Sequence, residues 1–354
     1  MKSPFPLAVN FSQLTDAAFI SGISGPVDHL QIEDFLTPGY SGSLFKKITV
    51  SLANGKIISL VMKTIYPSKD FTIHRTGSHL SRESLLLDSR ELDDVWNYFV
   101  TPYIAYAKEG ANTALLMNDL SEYILPDKRE PMTPGQEDTF ITLLARFHVR
   151  YLGSPVLNNS WLTQEIYYFS RFGPNMAEEE KTNETKTPLF DLINEGWVFA
   201  ESLLSPAMRE FLWRPSTKLI SILEGQPRTL IHGDSKVGNF AFMPGNKIVA
   251  FDWSAMGAVP SSCEIGWYIA VNATRLVRSK EEVLNFYRSV FEKELGQELS
   301  ETSWKRFCAA SILCGSLSML WKKALNVKAD LPGAKTEWQW WMDQLEKCKA
   351  DYFR

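Results

Sequence analysis

Cysteine is scarce in this chain. Its four copies, Cys263, Cys308, Cys314 and Cys348, stand in no Cys-x-x-Cys spacing, which argues against a zinc site and reads as reduced thiols of a cytoplasmic protein. No apolar run reaches the length of a membrane span, and Met1 to Ser24 is too interrupted by polar side chains for a secretory signal, so no membrane partner is expected. Excess charge of one sign is missing too: 37 Lys and Arg stand against 41 Asp and Glu, a net −4 with no long basic block, which disfavours nucleic acid as a partner. Internal repeats are absent. At 354 residues the chain can bury a substantial core and is long enough for two lobes.

Against those absences stands one dense stretch, IHGDSKVGNFAFMPGNKIVAFDW, from Ile231 to Trp253. His232-Gly233-Asp234 is followed, five positions after the aspartate, by Asn239. Two apolar segments, Asn239 to Met243 and Ile248 to Asp252, flank Pro244-Gly245-Asn246-Lys247, a turn signal. The simplest register pairs Met243 with Ile248 and Asn239 with Asp252, and directly opposed side chains sit roughly 5 Å apart at Cβ. An amide and a carboxylate so placed suit Mg²⁺, which keeps several waters and takes other ligands from phosphates. Asp234, outside the ladder, is then free to meet a substrate hydroxyl. Each piece alone also reads as an ordinary turn, loop cap or strand end. Together they repeat the order of a phosphoryl-transfer loop: His-x-Asp, four intervening residues, Asn, then a strand-terminal Asp.

With those residues quoted, the chain resembles the aminoglycoside phosphotransferase and choline-kinase-like branch of small-molecule kinases, which writes the second motif as Asp-Trp or Asp-x-Asp. The resemblance is strongest from Thr229 to Trp267, moderate from Phe35 to Tyr151 and weak beyond Trp267. It implies an α+β, bilobal, protein-kinase-like fold: an N-terminal antiparallel sheet lobe with one main helix, residues 1–119, binding nucleotide, and a larger, mostly helical catalytic and acceptor-binding lobe, residues 120–354.

The upstream sequence fits a nucleotide-gripping lobe. Phe45 to Leu52 and Lys56 to Ile65 are rich in β-formers and are joined through Asn54-Gly55, a hairpin signal. Before them, Pro38-Gly39-Tyr40-Ser41-Gly42-Ser43 offers glycines that let backbone N–H groups approach phosphate, without the Gly-Lys-Ser or Gly-Lys-Thr of a Walker loop. Strand alternation puts Lys63 on the face of Ile57 and Val61, a place for an ammonium that meets something anionic, or for a lysine snorkelling from a strand end. The resemblance assigns Lys63 to the donor phosphates, paired with a helix glutamate. Glu83, followed by Leu86 and Leu87, is preferred over Glu91. Ala114 to Leu120 resembles the hinge strand, with backbone groups from Met117 through Asn118 to Asp119 on the adenine edge.

Thr133-Pro134-Gly135-Gln136 predicts a capped helix start, and Phe140, Leu143, Leu144, Phe147 and Tyr151 continue at helical spacing with His148, read as structural, among them. Asn175 to Pro188, almost devoid of apolar residues, predicts a surface excursion. Trp338, Trp340 and Trp341 suit either an aromatic acceptor wall or a packed core. Where relatives carry an aspartate after the metal motif, this chain has Glu264, a candidate for the same supporting role with a longer arm.

The resemblance implies an ATP-dependent phosphotransferase that moves the γ-phosphate to a hydroxyl of a small metabolite, as a monomer or homodimer. In it Asp234 handles the acceptor proton, Lys236 neutralises the transferred group, and Asn239 and Asp252 hold Mg²⁺. Gly39, Ser41, Gly42, Ser43, Lys63, Glu83 and the hinge hold ATP. The rivals are an inactive kinase-fold binding module and a protein Ser/Thr kinase. Against the latter, no Ala-Pro-Glu follows Asp252, and Pro260 comes too soon for a usual activation segment.

Overall fold

A computed structural model describes residues 5–35, 42–125, 130–176, 188–213 and 220–353. The described chain is α+β, a largely antiparallel sheet followed by a mostly helical part. It divides into two compact units, Met1–Leu125 with Asn239–Ser254, and Pro126–Gly238 with Ala255–Arg354.

The first unit is built on a six-stranded sheet. Its strands are β1 (Leu7–Ala8), β2 (Val27–Asp34), β3 (Leu44–Leu52), β4 (Ile57–Ile65), β5 (Tyr103–Glu109) and β6 (Asn112–Asn118), in the spatial order β1-β5-β6-β4-β3-β2. All neighbours are antiparallel except β1 and β5. Alternation decides the faces. Ile48, Val50 and Leu52 of β3, Leu60 and Met62 of β4, and Ala114 and Leu116 of β6 join Leu14 and Ile20 in one buried cluster. Lys63, one position from Met62, therefore falls on the opposite face, where it is 4% exposed.

The hairpin of β8 (Phe240–Met243) and β9 (Lys247–Ala250) belongs to this unit although it lies far along the chain. Two links hold it: the Val100 N–H donates to Ile248 O at 2.9 Å, and the Phe242 N–H donates to Tyr123 O at 2.9 Å. Its register corrects the sequence reading. Met243 pairs with Lys247 and Phe242 with Ile248, so Asn239 lies opposite Phe251, to whose N–H its carbonyl is bonded at 3.2 Å, and not opposite Asp252. The cause is the turn. Gly245 and Asn246 both take positive φ, 76° and 57°, which closes the chain over three residues and brings Lys247 into the strand.

The second unit is helical around a two-stranded ribbon, β7 (Arg228–Ile231) against β10 (Gly257–Pro260). Helix Pro134–Arg150 starts with the expected capping box: the Thr133 hydroxyl accepts from Gln136 N and the Gln136 side chain accepts from Thr133 N. The long helix Glu301–Lys328 packs on Ser261–Val271, Pro188–Leu203 and Ala334–Tyr352. It packs closest at Gly266, where a Cβ would stand 2.2 Å from Ser311 O, so these two helices meet through backbone. Of the expected surface excursion, residues 177–187 lie outside the described residues, and its end, Pro188, already opens a helix. No helix of the described residues is long and apolar enough to cross a membrane.

Candidate functional site

In the first unit the site is organised by Lys63. Its ammonium donates to Glu83 Oε2 at 2.7 Å and to Asp252 Oδ1 at 3.0 Å. Burial alone pulls a lysine toward its neutral form, but the charges of Asp252 and Glu83 outweigh it and hold the ammonium well above the ordinary lysine pKa. Glu83 is fully buried in the first turn of helix Arg82–Asp88, capped by the Ser81 hydroxyl. Its other oxygen, Oε1, accepts from the Tyr103 hydroxyl at 2.7 Å. The neighbouring Arg82 donates to Ser254 O at 3.0 Å, so one helix start is tied both to Lys63 and to the segment just past Asp252. Asp252 follows β9 with φ 62°, a left-handed conformation that Asp tolerates better than most side chains. That turn takes it off the ladder, and its side chain keeps 28% exposure. The glutamate paired with Lys63 is Glu83, the preferred candidate, and not Glu91.

Asp70 escaped the sequence reading. It caps helix Phe71–Arg75 by accepting from Ile73 N at 2.9 Å, and burial, joined by the charges of Asp252 and Glu83, raises its pKa to about 7. An Asp just before Phe71 is a helix-start signal, but nothing local marks it as buried beside other carboxylates.

The remaining donor-side candidates divide. Gly39 and Ser41 lie outside the described residues. Gly42 has φ 78°, and a Cβ there would meet Lys69 O at 2.6 Å. Ser43 Oγ is buried with no hydrogen-bond partner among the described residues. At the hinge, Met117 ends the buried run of β6, while the N–H groups of Asn118 and Asp119 donate to Pro102 O at 3.0 Å and Ser59 O at 3.1 Å. Adenine recognition by those two donors would therefore require a change of partner. The Asp119 side chain accepts from Ser59, Ser121 and Lys47; these bonds outweigh the opposing effect of burial and lower its pKa to about 2.

In the second unit the loop after β7 is held by Glu264. Its Oε2 accepts from His232 N at 3.1 Å and its Oε1 from Gly233 N at 2.9 Å. His148, buried as expected of a structural residue, sits with Nε2 2.9 Å from Glu264 Oε2 and Nδ1 2.9 Å from the Tyr287 hydroxyl. Burial would raise the Glu264 pKa, but the hydrogen bond and charge of His148, the charge of His232 and the Gly233 N–H together lower it. Asp234 receives the Trp267 indole N–H on Oδ1 at 2.8 Å, and its own N–H donates to His232 Nδ1 at 3.2 Å. Asn272 fastens the rest of the loop: its Nδ2 donates to Ser235 O at 2.9 Å and its Oδ1 accepts from Val237 N at 3.0 Å. Lys236 is exposed. Trp267, Asn272 and Arg171, whose Nη2 donates to Gly233 O at 3.0 Å, were not singled out from sequence. The spacing of Glu264 and Trp267, three apart on one helix face, is the signal that was there to find. Trp338 and Trp341 are buried in the core, whereas Trp340 is half-buried, with the Lys280 ammonium 4.4 Å from its ring centroid and its indole donating to Glu281.

Asn239 and Asp252 are hard-oxygen donors of the kind that suits Mg²⁺. Among the described residues no cluster of three His, Cys, Asp or Glu side chains could hold a metal ion by itself.

No protein-family model matches the chain, and no curated protein matches it in sequence. Among solved structures, the chain is similar to the aminoglycoside phosphotransferase of Alicyclobacillus acidocaldarius subsp. acidocaldarius DSM 446, with 14% identity, 93% of each chain covered and a TM-score of 0.47. It is similar to a Plasmodium vivax ethanolamine kinase at 13% identity, covering 90% of this chain and 81% of that one with a TM-score of 0.46. A spectinomycin phosphotransferase solved in complex with ADP and spectinomycin is 11% identical, with 94% of this chain and 92% of that one covered and a TM-score of 0.48.

Proposed function

We propose that this chain is an ATP-dependent phosphotransferase that moves the γ-phosphate to a hydroxyl of a small metabolite. The observation that carries the reading is the ammonium of Lys63 held between Glu83 and Asp252. Desolvating such charges costs several kcal/mol per ion, so a buried pair is a poor source of stability. It makes sense where the ammonium is kept charged and aimed for an anion while a neighbouring carboxylate keeps access to a cation. Nucleotide phosphates with a divalent ion are such a partner.

In this reading Lys63 steadies the donor phosphates, and the backbone at Gly42 and Ser43 approaches them. Asn239 and Asp252 would hold Mg²⁺, which when bound supplies charge neutralisation at the β- and γ-phosphates. Asp234 orients the acceptor hydroxyl and takes its proton, a contribution of about 10²- to 10⁴-fold. Lys236 balances charge on the transferred group. Glu264 and His148 act through the loop backbone and touch no substrate. Positioning and electrostatics supply most of the rate, since phosphoryl transfer asks little covalent help of the protein.

The test is incubation of the purified full chain with labelled ATP, Mg²⁺ and a metabolite extract, with mass detection of the phosphorylated product. Asp234→Ala should abolish transfer while leaving nucleotide binding intact. Nucleotide binding without transfer by the unaltered chain, across acceptor extracts, would favour a binding module instead.

A further inference from the structure

We infer that Trp267 is a positioning residue that fixes the orientation of the Asp234 carboxylate, an inference that rests on the reading of Asp234 as the group that meets the acceptor hydroxyl. The indole N–H lies 2.8 Å from Asp234 Oδ1. An indole can only donate, so the direction of this bond is not in question, unlike one to an imidazole. Trp267 is itself clamped. It is 7% exposed, its ring stacks on Phe172 with centroids 5.5 Å apart, and the Arg171 guanidinium lies 4.8 Å from its centroid. Arg171 in turn donates to Gly233 O, the residue before Asp234.

Glu264 and Trp267 lie three positions apart on helix Ser261–Val271, so both project from one face. The glutamate fixes the main chain at His232 and Gly233, and the tryptophan fixes the side chain at Asp234. A single rigid helix thereby sets both the path of the loop and the plane of its carboxylate. At Gly266 that helix packs backbone to backbone on the long helix, where a Cβ would stand 2.2 Å from Ser311 O. Asp234 is only partly buried, and the indole N–H narrows the search its carboxylate makes among rotamers. Ordering it beforehand removes that search from the reaction step.

Two measurements on the full chain test the inference. With the 11 tryptophans labelled with ¹⁵N at the indole, one indole N–H resonance should lie downfield and move upfield in Asp234→Ala; the same resonance should vanish in Trp267→Phe. If no indole resonance responds to Asp234→Ala, the contact does not exist in solution and the inference falls. Kinetically, Trp267→Phe keeps a ring beside Phe172 and Arg171 but deletes the donor. Its kcat should drop about tenfold, the size expected for a hydrogen bond to a charged group, with KM for nucleotide and acceptor unchanged. An unaltered kcat, or a loss confined to KM, overturns the inference while leaving the phosphotransferase reading in place. Undiminished transfer by Asp234→Ala overturns that reading, and the inference with it.

Discussion

The Lys63 ammonium and the Glu83 carboxylate meet at 2.7 Å where neither side chain is more than 6% exposed. Removing one charge strands the other, so Lys63→Met should cost about 3 to 5 kcal/mol in urea unfolding. Lys63→Met combined with Glu83→Gln should recover a large part of that loss, because the remaining amide still accepts from Tyr103. Transfer should stay absent in both variants. Recovered turnover in the double variant would show that the pair is a scaffold and not a phosphate contact.

Asp70 ties stability to pH in the direction opposite to most carboxylates. Burial, with Asp252 and Glu83 nearby, puts its folded-state pKa at about 7, against 3.8 for the unsheltered group. The folded protein therefore binds the proton more tightly than the unfolded chain. The stabilisation is fully present below the unfolded value and is lost as pH rises through about 7. Asp70→Asn keeps a competent cap for Phe71–Arg75 and cannot ionise. It should be more stable than the parent at pH 8 by about 2 to 4 kcal/mol and nearly equal only at or below the unfolded value, at about pH 3.5. Equal stability at both pH values, measured in urea without divalent ions, would place the Asp70 carboxyl in water.

What was legible in the sequence is what neighbours in the chain decide. Asn54-Gly55 closes the β3–β4 hairpin, Thr133 and Gln136 cap their helix, and strand alternation sends Lys63 away from the Met62 face. The β8–β9 register was misread by one residue because apolar patterning cannot tell a three-residue closure from a four-residue one. The paired positive φ values at Gly245 and Asn246 make that choice. The single boundary expected at residues 119 and 120 differs from the two compact units for another reason. Val100 and Tyr123 fasten a hairpin that follows them by more than a hundred positions, and no local pattern announces such a pairing. Glu264 was recognisable as a support, but its partners, two N–H groups and His148, depend on distant segments converging.

That convergence makes Glu264 a point of acid sensitivity. Its folded-state pKa lies below the usual 4.5, so its contribution is present above that value and is lost as pH falls through the depressed one. Glu264→Gln keeps an acceptor and should lose less stability than Glu264→Ala, which strands two buried N–H groups and His148 at a cost of about 3 kcal/mol. Both should flatten the acid limb of the unfolding curve. A Glu264→Gln variant that denatures in acid as the parent does would mean that another carboxylate governs the transition.

Gly233 makes the sharpest steric demand on the proposed catalytic loop. Its φ is +81°, and a Cβ would stand 2.0 Å from Ala255 O, a carbonyl that also accepts from the Tyr168 hydroxyl. Gly245 offers the matching control: its φ is +76°, yet a Cβ there meets nothing within 4 Å. Both alanine variants carry the left-handed strain of about 1 kcal/mol, so the difference between them isolates the backbone clash. Gly233→Ala should cost about 2 to 4 kcal/mol and lower transfer by about 100-fold, because the loop must shift and carry Asp234 with it. Gly245→Ala should stay near 1 kcal/mol with transfer intact, since the strain lies at the hairpin tip. Equal stability losses at the two sites would mean that the loop and Ala255 part easily, and that Glu264, Arg171 and Trp267 do not hold residues 232–234 in one place.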